Sequence, residues 1–283
     1  MKQIKKKLQK NILRIWAFNS LLFRYPYNLD IHICEHCNLN CKGCNHYSPL
    51  AKPSFCNIDS LKKNLNTLKT RGGVDKLFKS IYLVGGEPLL NPEITEIFRI
   101  TREFFPKSTI KVVTNGICLS RNSKPMPESF WEACRKYSIS FDVSRYPINI
   151  DYEYVVNLLK ENNVKFNFFW ERNDFYSFRL TKNTNDKNRF NFYNCVLCRC
   201  LQLVGDRIYP CPISAYVNYL NESFKTDFKH KDCDYLTLSN ISRWKLRLFR
   251  LRAKPFCRYC VFPREKTNWQ KSGYSASEWI CNQ

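Results

Sequence analysis

The cysteines whose spacing most clearly indicates chemistry are Cys37, Cys41 and Cys44, which follow directly on the first segment predicted as a strand. Three thiolates on one loop can hold three irons of a cubane iron–sulfur cluster and leave the fourth iron open to a substrate or cofactor. Zinc is the alternative, because it prefers four nitrogen or sulfur ligands. Candidates for a fourth zinc ligand lie nearby in the chain: Cys34, His36 and His46. The spacing alone leaves both kinds of site open.

A second polar signal follows the strand predicted over Ile81–Val84, where the chain continues as Gly85-Gly86-Glu87-Pro88. Glycines let a ligand approach the backbone, and a carboxylate there can accept hydrogen bonds from an ammonium group. In isolation this tetrapeptide would be an ordinary turn with a solvated glutamate. If the predicted strands form a barrel, the Glu87 carboxylate should lie at its mouth and face the same ligand as the three cysteines.

A second group of cysteines lies in the last third of the chain, at Cys195, Cys198, Cys200, Cys211, Cys257 and Cys260. The segment Leu201–Pro210 contains Gly205 and is predicted to form a hairpin. Such a hairpin would bring together the two cysteines that flank it, Cys200 and Cys211. The later CxxC pair, Cys257 and Cys260, would complete a set of four ligands. A structural zinc site is the alternative.

The elements that must position these residues follow from the alternation of apolar runs with helix-length segments. Strands are predicted at Leu29–Cys34, Ser80–Val84, Thr109–Thr114, Ser138–Ser144 and Lys165–Trp170. Helices are predicted at Asp59–Lys69, Pro92–Phe105, Glu128–Tyr137 and Asp151–Asn162, with Asn57 or Asp59, Asn91 and Asp151 as N-caps. Repeated strand–helix units indicate an α/β fold with a parallel sheet, here a partial (β/α)6 TIM-like barrel. Sites in such folds lie at the carboxyl ends of the strands, where both motifs fall.

Three regions are expected along the chain. Residues 1–28 are predicted to form a basic amphipathic helix, residues 29–190 the partial barrel, and residues 191–283 a small cysteine-rich domain and tail. The polar stretch Thr181–Arg189 before the second cysteine group is predicted to be a loop or linker.

Composition narrows the class of protein. Fifteen cysteines without a secretory signal favour metal or redox chemistry in a cytoplasmic protein over disulfides. No apolar run is long enough to span a bilayer. The formal charge of +22 is concentrated in Met1–Arg24 and Arg243–Arg264. These basic segments indicate either a solvated basic face or an anionic partner. Such a partner would be a nucleotide sugar or glycan, or the inner face of a membrane, contacted peripherally. Nucleic acid is disfavoured, because no nucleic-acid-binding motif accompanies the charge.

The CxxxCxxC loop, the GGEP turn and Val112-Val-Thr-Asn-Gly116 together resemble the radical S-adenosylmethionine (SAM) superfamily, over about residues 29–170. The resemblance implies that Cys37, Cys41 and Cys44 ligate a [4Fe-4S] cluster whose open iron is chelated by SAM. The residues implied to hold SAM are Gly85, Gly86 and Glu87 at its amino group, Thr114, Asn115 and Ser144 at its ribose and carboxylate, and Arg145 at that carboxylate. Gly43 stands where the superfamily commonly has an aromatic residue, and Tyr47 could stack on adenine instead.

The second cysteine group resembles the shortened SPASM ("twitch") domain, which implies an auxiliary [4Fe-4S] cluster. Its implied ligands are Cys200, Cys211, Cys257 and Cys260, with Cys198 as the alternative to Cys200. The longer segments Cys44–Ala51, Tyr209–Ile213, Pro255–Cys260 and Ser275–Ile280 resemble a subgroup of radical SAM proteins often associated with polysaccharide and glycosyltransferase functions.

The resemblance implies an enzyme that cleaves SAM to a 5′-deoxyadenosyl radical, which abstracts hydrogen from a substrate C–H bond. The favoured substrate is a nucleotide- or lipid-linked sugar, modified by an epimerase or a dehydrogenase, with an external one-electron reductant of the flavodoxin or ferredoxin type. For an epimerase, Cys195 is the predicted hydrogen donor, with Cys118 and Cys56 next.

Two other functions are carried as alternatives. One is a radical SAM peptide maturase, which is disfavoured because only about 28 residues precede the first strand, too few for a peptide-recognition domain. The other is a non-catalytic metal-binding interaction protein at a membrane surface, which would use the basic N-terminal helix.

Overall fold

A computed structural model describes residues 27–71, 73–171, 174–184, 188–198 and 200–281. The predicted N-terminal helix therefore lies outside the described residues, except that residues 27 and 28 begin the first strand. Strands and helices then alternate in this order: β1 Tyr27–Cys34, α1 Ile58–Thr70, β2 Phe78–Gly85, α2 Ile94–Phe104, β3 Thr109–Thr114, α3 Glu128–Lys136, β4 Ile139–Arg145, α4 Tyr152–Glu161 and β5 Lys165–Glu171. The predicted strand–helix alternation is confirmed.

The helix starts follow local capping chemistry. The side chain of Asn57 accepts a hydrogen bond from the Ser60 amide at 2.8 Å, and that of Asp151 accepts one from the Tyr154 amide at 2.9 Å, so both are N-caps. Helix α2 begins at Ile94, two residues later than predicted. The Asn91 side chain instead accepts from the Glu93 amide and donates to the Ile33 carbonyl, which ties the loop before α2 to β1.

One sheet of eight strands forms the centre of the molecule, in the order β5-β4-β3-β2-β1-β7-β8-β9. The last three strands are β7 Leu201–Val204, β8 Arg207–Tyr209 and β9 Leu236–Thr237. Pairing is parallel from β5 through β1 to β7 and antiparallel from β7 to β9. The mostly parallel α/β architecture is as predicted. The predicted hairpin is β7–β8, and it extends the same sheet, so the sheet crosses the boundary predicted near residue 191.

Further helices and strands follow β5 in the chain. They are β6 Asp174–Tyr176, α5 Asn188–Tyr193, α6 Pro212–Ala215, α7 Val217–Phe224, α8 Arg243–Leu251 and β10 Lys266–Asn268, with β6 and β10 paired antiparallel. Within the part of the chain that the structure describes, no helix is long and apolar enough to cross a membrane.

Two hydrophobic cores lie on either side of this architecture. The larger core joins the sheet to α1–α4 through side chains such as Leu29, Ile31 and Leu65, each 2% exposed or less. The smaller core joins C-terminal residues such as Trp279 and Val217 to Tyr47. Burial of one such aliphatic side chain contributes about 2 kcal/mol, so both cores contribute substantially to folding. The C-terminal part thus has its own core while sharing the sheet.

Candidate functional site

The first cysteine group lies on the loop that follows β1. Cys41 is buried, and Cys37 and Cys44 are partly exposed. The Cys37 sulfur accepts a hydrogen bond from the Leu39 amide at 3.4 Å, and the Cys41 sulfur accepts one from the indole N–H of Trp269 at 3.2 Å. N–H donors of this kind surround and tune the sulfur ligands of iron–sulfur clusters. The loop therefore offers three thiols with donors already placed for thiolate charge.

Two glycines at the end of β2 hold this loop in place. The Gly86 amide donates to the Cys34 carbonyl at 2.7 Å, and the Glu87 amide donates to the His36 carbonyl at 3.0 Å. A Cβ atom on Gly86 would overlap the His36 carbonyl, and one on Gly85 would overlap the Cys34 carbonyl. The glycines were expected to admit a ligand to the backbone. They instead admit the backbone of the cysteine loop.

Glu87 is completely buried at the junction of β2 and β3. Its carboxylate accepts from the Thr114 hydroxyl at 2.7 Å, the Asn115 amide at 2.9 Å and the Leu89 amide at 3.2 Å. Burial raises the pKa of Glu87 to about 7, and these three hydrogen bonds oppose the rise. A carboxylate has about four acceptor positions, and these hydrogen bonds occupy three of them.

The predicted SAM residues on β3 and β4 divide into those that reach the cysteine loop and those that do not. The Asn115 side chain donates to Asn38 at 2.8 Å and lies 3.6 Å from the Cys37 sulfur. Ser144 is buried, and its carbonyl accepts from the Tyr152 hydroxyl at 3.4 Å. The Arg145 guanidinium lies 4.3 Å from the centre of the Phe168 ring. Glu87, Thr114 and Asn115 thus connect to Cys37, whereas Arg145 contacts an aromatic side chain of β5.

Tyr47 does not fit the predicted stacking on adenine, because its side chain is 0% exposed within the smaller core. The reason lies in the C-terminal segment, which packs on the loop. The Trp279 indole donates to the Cys44 carbonyl at 2.9 Å. A Cβ on Gly43, whose φ is +64°, would lie 3.3 Å from the Glu278 carbonyl. The C-terminal segment thus explains why glycine stands at residue 43.

Residues 269–272 also cross the cysteine loop, which the sequence did not indicate. The Lys42 amide donates to the Gln270 carbonyl at 2.9 Å, and the Ser272 amide donates to the Asn40 carbonyl at 2.8 Å. Trp269 is the functional side chain that sequence reasoning missed, since a tryptophan 228 residues from Cys41 carries no local signal. The neighbouring Ser275–Ile280 segment was identified only by its resemblance to relatives.

The second cysteine group lines a common cavity. Five of its sulfur-bearing residues contribute to the lining: Cys195, Cys198, Cys211, Cys257 and Cys260. Asn191 fixes the CxxC turn by donating to the carbonyls of Cys257 and Cys260 at 2.8 and 2.9 Å. Burial raises the pKa of Cys257 to about 11, and the nearby Cys195 contributes to that rise. The cavity therefore gathers partly exposed thiols from three parts of the chain.

Cys200 does not line that cavity, although it was predicted as a ligand. It precedes β7, and burial raises the pKa of its thiol, as do Asp30 of β1 and the thiols of Cys195 and Cys198, so Cys200 lies near the group. Cys195, predicted as a hydrogen donor, occupies the place beside Cys211, Cys257 and Cys260. Cys195 follows the short helix α5, which ends at Tyr193.

The two reserve thiols lie near the first group. Cys118 accepts a hydrogen bond from the Asn38 side chain at 3.5 Å, and Cys56 lies near Cys34 and Glu35. Burial raises the pKa of each to about 12. Within the described ranges, no three His, Cys, Asp or Glu side chains are gathered as ligands of a single metal ion. A cubane cluster places its thiolates on separate irons, and each cysteine group offers the sulfur donors that it needs.

Comparison with known proteins addresses the first site. Residues 31–164 match the profile of the radical SAM superfamily, and this range contains the cysteine loop, Glu87 and Asn115. The chain carries a radical SAM domain. That family uses a [4Fe-4S] cluster and SAM, and Cys37, Cys41 and Cys44 are its predicted ligands in this chain.

The curated relatives match about a third of this chain. Molybdenum cofactor biosynthesis protein 1 from Bos taurus is 35% identical over 100 residues, which is 35% of this chain and 15% of that protein. A SAM-dependent nucleotide dehydratase from a Fibrobacter species is 35% identical over 91 residues, 31% of this chain and 27% of that protein. The matched region thus spans less than a third of either relative.

A structural comparison extends over more of the chain. The crystal structure of BtrN in complex with AdoMet and 2-DOIA superposes with a TM-score of 0.51 at 13% identity, covering 84% of this chain and 93% of that one. At this identity the likeness concerns the fold, which here includes the radical SAM domain and the segments that follow it.

A row of polar side chains crosses the face of the radical SAM sheet that is turned away from α1–α4. Neighbouring strands pair these residues in register, and we call them the polar row: Gln202, Asp30, Tyr82, Lys111 and Ser140. Gln202 donates to Asp30 at 2.6 Å, and Lys111 contacts Asp142, one step along β4, at 3.0 Å. Burial raises the pKa of Asp30 to about 7, and its hydrogen bond with Gln202 opposes the rise. A sheet face lined with donors and acceptors can bind a polar ligand.

Proposed function

We propose that this chain is a radical SAM enzyme that acts on a carbohydrate bound along the polar row. The observation that carries the proposal is that row, which places carboxylate, phenol, ammonium, amide and hydroxyl groups side by side below the cysteine loop. A sugar presents hydroxyls that both donate and accept, so it matches such a surface better than an apolar side chain does. An apolar substrate would displace water from these partly exposed polar groups without replacing its hydrogen bonds.

The chain's own residues would prepare the reaction. When bound, the cluster and SAM supply a 5′-deoxyadenosyl radical that abstracts hydrogen from a C–H bond. Cys37, Cys41 and Cys44 would hold the cluster, and Glu87 would use its remaining acceptor position for the SAM ammonium group, with Gly85 and Gly86 holding the loop against it. Thr114 and Asn115 would fix the Glu87 carboxylate, as they do in the structure.

The second cysteine group supports an auxiliary [4Fe-4S] cluster with a revised set of ligands. We assign Cys195, Cys211, Cys257 and Cys260, because these four line one cavity and Cys200 does not. Cys198 lines the same cavity, so it is the alternative to Cys195. A thiol held as an iron ligand does not return a hydrogen atom, so this assignment favours a dehydrogenase over an epimerase that uses Cys195. Cys118, beside the first group, is then the thiol to test as a hydrogen donor.

The experiment that tests the radical chemistry is anaerobic reconstitution with iron and sulfide, followed by iron analysis and a SAM cleavage assay with dithionite. The wild type should bind about eight irons and form 5′-deoxyadenosine. A Cys37→Ala/Cys41→Ala/Cys44→Ala variant should keep about four irons and form none. Zinc in place of iron, without SAM cleavage, would favour a non-catalytic metal-binding protein.

Substrate class is tested by stimulation of SAM cleavage with nucleotide sugars, sugar phosphates and short peptides. We expect sugars to stimulate cleavage and deuterium from a labelled sugar to enter 5′-deoxyadenosine. In Asp142→Asn, the Lys111 pair is weakened, so the KM for the sugar should rise about tenfold or more while SAM cleavage without substrate stays unchanged. Stimulation by peptides alone would favour the peptide maturase.

Two partners complete the proposal. An external one-electron reductant of the flavodoxin or ferredoxin type would reduce the cluster. Peripheral contact with an anionic membrane is supported by α8, which carries Arg243 and Lys245 beside Trp244, 58% exposed. Co-sedimentation with phosphatidylserine vesicles at physiological salt tests this contact. Vesicle binding that is unchanged in Trp244→Ala would contradict a role for α8 in it.

A further inference from the structure

Tyr47 lies between the two cysteine groups. It follows Cys44 by three residues, and its amide donates to the Cys44 carbonyl at 3.1 Å. Its ring belongs to the smaller core, in which Cys211 and Cys260 also pack. Its exposed fraction is 0%, and its ring centre lies 6.5 Å from that of Trp279. One side chain thus adjoins thiols of both groups.

The hydroxyl of this buried ring makes no hydrogen bond within the described ranges. A buried hydroxyl without a partner costs about 1–3 kcal/mol. Buried polar groups in native proteins are otherwise paired, and an exception indicates a partner supplied by a bound group. We therefore expect the acceptor for the Tyr47 hydroxyl to belong to a bound group and not to an oxygen or nitrogen atom of the protein.

The packing of Cys211 and Cys260 in the same core as Tyr47 indicates that acceptor. Burial raises the pKa of Tyr47 well above its ordinary value, and the thiols of Cys260, Cys211 and Cys44 raise it further, in that order. The phenol therefore remains a donor. Cys44 already has hydrogen bonds from the backbone of His46 and from Ser48. The Cys260 thiol packs with Tyr47 in the smaller core.

We propose that the Tyr47 hydroxyl donates a hydrogen bond to the Cys260 end of the auxiliary cluster and raises the reduction potential of that cluster. The proposal rests on the auxiliary cluster of the proposed function. A hydrogen bond to a cluster sulfur stabilises the reduced, more negative state, which is one of the ways in which proteins set these potentials. Tyr47 would act as a positioning and tuning residue, and it would have no contact with the substrate.

The test is the Tyr47→Phe variant of the full chain with both clusters loaded, followed by a redox titration monitored by electron paramagnetic resonance. The Cys37→Ala/Cys41→Ala/Cys44→Ala variant first shows which signal belongs to the auxiliary cluster. We expect the reduced-to-oxidised ratio of that cluster to fall about tenfold at a fixed ambient potential, which is 59 mV for one electron. The potential of the first cluster should stay unchanged.

Tyr216→Phe is the matched control. Tyr216 is buried in the same smaller core, but the groups that most raise its pKa after burial are Glu35 and Asp30, whereas thiols do so at Tyr47. An equal shift in both variants, or no shift in Tyr47→Phe, would overturn the proposal. Loss of the auxiliary irons in Tyr47→Phe would also overturn it, because Tyr47 would then hold the site together instead of tuning the potential of its cluster.

Failure of the proposed function gives a different result. A wild type with about four irons, all lost in the triple alanine variant, has no auxiliary cluster, which overturns both proposals. A wild type with about eight irons and an unshifted Tyr47→Phe overturns the tyrosine assignment alone.

Discussion

The two cysteine groups differ in how the chain assembles them. Cys37, Cys41 and Cys44 lie on one loop, which two glycines of β2 and the C-terminal segment hold in place. The second group comes from the residues after α5, from the start of α6 and from the turn at Pro255–Tyr259. The first is therefore a local motif supported by tertiary contacts, and the second exists only through tertiary contacts.

The surroundings of the two groups differ as well. Two of the first group's three thiols are partly exposed, and its sulfurs accept hydrogen bonds from the Leu39 amide and the Trp269 indole. The second group's cavity is lined by apolar side chains such as Phe192 and Phe256 beside the thiols. The thiols of the second group are partly exposed too, so the two groups differ in what surrounds the sulfurs, polar donors in the first and apolar side chains in the second, and not in exposure.

The largest expected effect concerns the ligands of the second group. Cys195→Ala should lower the iron content by about four atoms per chain, because Cys195 adjoins Cys211, Cys257 and Cys260. Cys200→Ala should keep all the iron, since that thiol lies outside the cavity. Iron and sulfide analysis after reconstitution measures both. The reverse pattern would restore the ligand set predicted from sequence and return Cys195 to its role as hydrogen donor.

The next effect concerns the support of the first group. Gly86→Ala would place a Cβ against the His36 carbonyl, so the cysteine loop must shift, and we expect a loss of about 3 kcal/mol in stability. The first cluster should be lost with it. Gly205→Ala is the control, because Gly205 has a φ of +55° but no atom within 4 Å of an added Cβ. That change should cost about 1 kcal/mol and leave both clusters in place.

The same contrast explains how much the sequence alone could predict. The strands and helices up to β5 were predictable because their apolar patterns are local, and so was the cysteine loop. The pairing of β7 with β1 was not, because it joins Leu29 to Leu201 across the whole radical SAM domain. Cys195 and Cys200 are five residues apart, and nothing in that spacing shows which one turns towards Cys257.

The role of the glycines was also beyond the sequence. Gly85 and Gly86 indicate a close approach, but only the structure shows that the cysteine loop, rather than a ligand, approaches them. Tyr47 and Trp269 illustrate the same limit. Tyr47 stands near Cys44 in the chain, yet packing in the smaller core removes it from the surface, whereas distant Trp269 reaches the Cys41 sulfur.

A smaller effect is expected at the first group when a single donor is removed. Trp269→Phe deletes the indole N–H that donates to Cys41, so the potential of the first cluster should fall and its reduced-to-oxidised ratio should drop threefold to tenfold. A redox titration measures the change. Trp244→Phe, on the exposed side of α8, is the control. An unshifted first cluster in Trp269→Phe would mean that this donor is not retained once iron is bound.

The smallest effect concerns Asp30 of β1, which accepts a hydrogen bond from Gln202 of β7. Strand β1 precedes the first cysteine group in the chain, and β7 follows Cys195, Cys198 and Cys200 of the second group. Burial raises its pKa from 3.8 to about 7. An acid with a raised pKa contributes stability that is fully present below the unfolded pKa and is lost as the pH rises through the folded value. The free energy of unfolding should therefore fall between pH 4 and 7, by about 1–3 kcal/mol from this group.

Asp30→Asn should remove that part of the pH dependence, because the amide can still bond to Gln202 but cannot ionise. Urea unfolding of the reduced, metal-free chain at several pH values measures the slope. Glu87, with its pKa also raised to about 7 by burial, should leave a residual slope in the same window. A variant with the full wild-type slope would show that Asp30 is solvated. The polar row would then be an open surface and not a partly enclosed one.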